Sequence, residues 1–75
     1  MNKARRKWIN NVFDKLQDLT LDLEQIRDKE QEAYDNLPKS LQYSENGEEM
    51  EENVSNLEDA ISSLNEASDY LQEFI

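Results

Sequence analysis

Asn36-Leu37-Pro38-Lys39-Ser40-Leu41-Gln42-Tyr43-Ser44 is the stretch that decides how this chain folds. On either side of it apolar residues recur in steps of three and four; within it the pattern stops. The only proline of the chain lies here. Pro38 has no N–H to donate and disfavours helix in the residue before it, so a helix arriving from the N-terminal side ends near Asp35 or Asn36. Ser44 suits the N-cap of a second helix, and Glu45, Glu48 and Glu49 suit the positive end of its dipole. Ser40 is a candidate cap for a short extra turn between the two.

Outward from this break lie two regular series. Ile9, Val12, Leu16, Leu19, Leu23, Ile26, Ala33 and Leu37 precede it, interrupted only at Glu30. Met50, Val54, Leu57, Ile61, Leu64, Leu71 and Ile75 follow it, interrupted at Ser68. A period of 3.5 held over about four heptads is the mark of a helix face in coiled-coil register. The chain therefore reads as all-α and as one domain over residues 1–75. Helix is expected over about 3–35 and about 45–74, with a loop at 36–44. At 1.5 Å per residue each helix is roughly 45–50 Å long.

So short a connection implies an antiparallel two-helix hairpin, coiled-coil-like in its packing. Charge points the same way. Lys3, Arg5, Arg6 and Lys7 oppose the dipole of the helix they begin, and an antiparallel neighbour brings Glu66, Asp69 and Glu73 alongside. The expected register sets Leu23 against Leu57, Leu19 against Ile61 and Leu16 against Leu64. Ser68 is read as a small filler opposite Val12. Glu30 either reaches solvent or bonds Tyr43 or Lys39 near the loop, or serves as a buried acid or metal ligand at a dimer seam; the first reading is preferred.

Composition removes most chemistry. Without cysteine or histidine there is no disulfide, no thiolate or imidazole metal site, and no common catalytic triad. No glycine-rich phosphate loop or calcium loop is present. Carboxylates are plentiful, but an acid pair needs a cleft to shift its pKa, and a narrow hairpin offers none. We expect no enzyme, no catalytic residues, no cofactor and no metal.

A 75-residue chain without staples draws stability from association or from very regular helix packing. Trp8, Phe13, Tyr34, Ala60, Ala67 and Phe74 widen the apolar face beyond a strict seam, as a four-helix bundle requires. A homodimer is expected, with Trp8, Phe13, Ala60, Ala67 and Phe74 as its self-association residues. The aromatic group Trp8, Phe13, Tyr70 and Phe74 at the open end is read as dimer core in preference to a separate binding patch.

The formal net charge is −10. Residues 1–15 carry five basic side chains against one acid, and residues 16–75 carry three against seventeen. An acidic body repels nucleic acid and membranes and attracts basic surfaces, so neither nucleic acid nor membrane is an expected direct partner. No signal peptide or bilayer-spanning segment is evident, and a cytoplasmic location is expected. Glu45, Glu52, Asp59, Glu66 and Glu73 fall seven residues apart. With Glu48, Glu49 and Glu51 they make a negative row on the second helix. Two readings remain open: the row is a solvated face that keeps a small bundle soluble, or it imitates a nucleic-acid backbone and enters a basic groove. Under the second reading Glu45, Glu48, Glu49, Glu51, Glu52 and Asp59 bind the partner.

The segment from Glu32 to Glu48, with its Asn-Leu-Pro-x-Ser-Leu-Gln turn and Ser-x-x-Gly, resembles short acidic helical proteins encoded in prophages and mobile elements of Firmicutes. A basic start and an acidic second helix extend the likeness over nearly the whole chain. The turn is its specific part, and no functional residues carry over. No activity carries over either; phage accessory proteins of this size and charge are often inhibitors of host defence, so the expectation is one that binds and inhibits a basic, nucleic-acid-handling host protein, of anti-CRISPR or anti-restriction type. The rival expectation is a structural, self-associating coiled-coil module whose acids serve solubility alone.

Overall fold

The computed structural model describes residues 1–75 as three helices: α1 (Lys3–Asp35), α2 (Lys39–Gln42) and α3 (Glu45–Gln72). Asn2 caps α1, its side chain accepting the Arg5 N–H at 2.8 Å. At the other end Pro38 stops the helix, and the last carbonyls need other donors. The Gln42 side-chain amide supplies two such bonds, to the carbonyls of Tyr34 at 3.3 Å and Leu37 at 3.2 Å. α2 is a single turn that begins after Pro38 with no side-chain cap. Ser40 thus lies inside the extra turn and does not cap it. Ser44 caps α3, accepting the Gly47 N–H at 3.2 Å while its hydroxyl donates to the Leu41 carbonyl.

Gly47 is where the loop meets the helix. A Cβ at this position would stand 2.6 Å from the Leu41 carbonyl oxygen and overlap that of Gln42. Only a residue without a side chain lets the end of α2 rest on α3 this closely.

α1 and α3 form a long helix pair in a rod with principal extents of 58 × 14 × 12 Å. Their contacts nest about the loop. Tyr34 Oη donates to Glu51 Oε1 at 2.5 Å, and one turn further back Asn53 Nδ2 donates to Glu30 Oε2 at 2.8 Å. At the far end Lys3, Arg6, Lys7 and Asn10 line one shallow hollow with Phe74 and Ile75.

These contacts fix the register, and it differs from the expected one. Counting along both helices from the two hydrogen bonds sets Leu23 level with Ile61 and Leu16 level with Ser68. Leu57 and Leu64 are therefore displaced by about four residues from the partners expected for them. The cause is α2: its turn lengthens the connection and seats it at Gly47, so the packing row of α3 begins there.

The row itself is regular. Gly47, Met50, Val54, Leu57, Ile61, Leu64, Ser68 and Leu71 are all buried or half-buried, in alternating steps of three and four. Along α1 the covered row is Ile9, Phe13, Leu16, Thr20, Leu23, Arg27, Glu30 and Tyr34, continued by Leu37 beyond the helix, and Glu24 and the expected Ala33 are half-buried beside it. Three of the eight residues expected in the first seam are thus displaced by one position. Val12, Leu19 and Ile26 were expected inside and are 40%, 55% and 52% exposed. Thr20 is buried where Leu19 was expected. A rigid helix must choose one rotation for its whole length. Phe13 presents more apolar surface than Val12, and Tyr34 gains the Glu51 bond beside a still half-buried Ala33, so these two positions turn the stretch between them. Thr20 and Arg27 enter the seam as passengers. Ile75, the last member of the second expected series, is also exposed.

Candidate functional site

The pair has two differently built surfaces besides its seam. The first is the back of α3. Glu45, Glu48, Glu52 and Asp59 lie on the side of the helix turned away from the packing row, by the 3.6-residue period. Glu66 and Glu73 continue the ridge. All six are exposed, as are Glu49 and Glu51 on its flanks. Glu45 and Glu48 stand in the first turn of α3, where the helix dipole favours negative charge. The six carboxylates expected to bind a partner are thus brought onto one half of one helix, but they are not equivalent. Glu51 is turned toward α1 and is engaged by Tyr34. The only ion pair in the structure joins neighbours on α1, Arg27 and Asp28, at 3.0 Å. None of the α3 acids is neutralised by a cation within the chain.

Tyr34 is the one group whose ionisation the structure perturbs clearly. The hydrogen bond to Glu51 comes first, with partial burial and the neighbouring negative charge behind it. Together they push the phenol from 10.0 up to about 12.

The second surface is apolar and runs along α1 from Trp8 to Ile26. Trp8, Val12, Leu19 and Ile26 stand beside the covered row and are exposed, Trp8 at 71%. Met1, Arg5, Trp8, Ile9 and Val12 line an open hollow of about 270 Å³ at its N-terminal end. Exposed Ala60 and Ala67 lie on the α3 flank of the same side as Asn53, which bonds Glu30. Phe74 lies beyond the end of α3, against Lys3, Arg6, Lys7 and Asn10 on the other flank of α1. Of the residues expected to mediate self-association, Trp8, Ala60 and Ala67 therefore share one side of the rod. Phe13 does not join them: it is half-buried on the seam row. The reading of the sequence missed Val12, Leu19 and Ile26 as surface residues. The available signal was that α1 carries two adjacent apolar rows, more than one partner helix can cover.

Glu30 is half-buried at the seam edge and bonds Asn53, not Tyr43 or Lys39 as expected. Glu30, Asn53, Asn56 and Leu57 border an open polar hollow. No group of three acidic side chains is arranged to hold a metal ion. No helix is long and apolar enough to cross a membrane. Compared with known protein families, curated proteins and solved structures, the chain matches none.

Proposed function

We propose that this chain is a non-enzymatic binding protein. In this reading an antiparallel, coiled-coil-like hairpin dimerises into a four-helix bundle and presents the back of α3 to a basic, nucleic-acid-handling protein. Its role is that of a phage or mobile-element accessory protein in the host cytoplasm, and binding inhibits its target. One observation carries it: the carboxylates from Glu45 to Asp59 are exposed on α3 without a single cation of the chain paired to them. Uncompensated charge of one sign, set on a rigid helix, gives a field that steers and selects a basic partner.

The test uses a glutamine variant at Glu48, Glu49, Glu51 and Glu52. Glutamine at 51 still offers Tyr34 an acceptor, so helicity should remain. Capture of a basic protein from host lysate by the wild type should fall steeply with salt and yield to competing nucleic acid. The variant should lose that capture by orders of magnitude, mainly through slower association. Full retention by the variant would eliminate the acidic back as the binding face.

A second reading rests on a separate observation, the exposed row Val12, Leu19 and Ile26. On that reading the chain is a structural self-associating module and its acids serve only solubility. Salt then leaves its assembly nearly unchanged, because apolar burial is not screened.

A further inference from the structure

The apolar side of the rod has a shape that selects its own occupant. Val12, Leu19 and Ile26 repeat at seven residues along α1, and Asn53, Ala60 and Ala67 repeat at seven along the adjoining flank of α3. The register set by the Tyr34–Glu51 and Glu30–Asn53 bonds staggers these rows. Leu19 comes level with the gap between Ala60 and Ala67, Ile26 with the gap between Asn53 and Ala60, and Val12 lies just beyond Ala67. One helix offers large side chains and the other mostly small ones, at matching heights. A surface of this kind is complementary to a copy of itself turned about a twofold axis.

From this we infer that a second copy of the chain covers this face with its twofold axis along the rod. Each α1 then lies on the partner's α3, and both loops sit at the same end. This rests on the self-association in the function proposed above and specifies its geometry. Val12, Leu19 and Ile26 of each copy enter the gaps around Ala60 and Ala67 of the other, as knobs enter holes.

Charge disfavours the other twofold arrangement. An axis across the rod would put α1 on α1, α3 on α3, and the loops at opposite ends. α3 carries nine acidic residues and no lysine or arginine, whereas α1 carries seven basic residues against eight acidic ones. Packed bundle helices lie 8–10 Å apart, about one Debye length, so stacking α3 on α3 sets two wholly acidic helices against each other. Placing α1 on α3 sets a nearly neutral helix beside each acidic one.

The chain has no cysteine, so one introduced thiol carries a unique label. Spin labels on Ser40→Cys in the loop, and separately on Gln72→Cys at the other end, report the separation between copies. Both positions are exposed. The proposed arrangement predicts a dimer with both distances within roughly 30 Å, given helix spacings of 8–10 Å. A dimer with distances near the 58 Å length of the rod overturns this geometry while leaving self-association intact. A chain that stays monomeric through the micromolar range overturns both, and assigns the apolar face to a different protein.

Discussion

Thr20 and Ser68 are both buried hydroxyls in the seam, and they are not equally well served. Thr20 Oγ1 donates back to the Leu16 carbonyl at 2.8 Å, whereas Ser68 Oγ is buried without a partner. An unmade hydrogen bond of this kind costs about 1–3 kcal/mol, so the seam is not optimised for a helix pair standing alone. Tyr34 is the group whose ionisation the fold shifts most clearly. Its phenol is raised to about 12 in the folded chain from 10.0, so the folded state holds the proton more tightly. The stability this adds is complete below pH 10 and is lost as pH rises through 12. Thermal unfolding of the wild type should therefore show an alkaline decline that Tyr34→Phe lacks. Parallel decline in both proteins would mean that the Glu51 bond is not the coupling.

At the scale of elements, the helices were legible because their signals are local. Pro38 ends α1 before it can run on, and Ser44 caps α3 through the Gly47 N–H. The regular row on α3 was legible too, since its apolar residues form one line with no competing neighbour. The rotation of α1 was not. Its rows at 12, 19, 26 and at 13, 20, 27 differ by one residue, and the choice depends on Phe13 and Tyr34, far apart on a 33-residue helix. The register depended on Gly47, whose role as a seat for the Gln42 and Leu41 carbonyls exists only once the loop is folded. Gly47→Ala tests this. Alanine favours helix over glycine by about 1 kcal/mol, so an open site would gain stability. Here the overlap with backbone should reverse the sign, with a loss of at least 1 kcal/mol in urea unfolding. A gain would show that α2 does not depend on that close approach.

For the whole molecule, what matters is that polar Thr20, Arg27 and Glu30 occupy the seam while Val12, Leu19 and Ile26 face outward. Only five residues are buried, and only Val54 and Ile61 among them are large and apolar. The acidic candidate site was legible in the sequence as a seven-residue spacing of carboxylates. The apolar face was legible only as excess apolar width, because the residues that form it had been placed inside. That exchange makes two substitutions diagnostic. Ile61→Asp buries a charge in the seam, where the nearest cation, Arg27, is already paired with Asp28, and should unfold the pair by several kcal/mol. Leu19→Asp was expected to do the same while Leu19 counted as a seam residue. With Leu19 half exposed, aspartate there stays hydrated within a single chain and leaves its helicity nearly intact. Its cost falls on association, because the charge would be dehydrated between Ala60 and Ala67 of a second copy. Sedimentation and circular dichroism together decide: Leu19→Asp should be a helical monomer and Ile61→Asp largely unfolded. A helical Leu19→Asp that sediments as a dimer would remove Leu19 from the interface. An unfolded one would mean that the helix pair does not hold its shape without the second copy, and that the interface supplies the core its seam lacks.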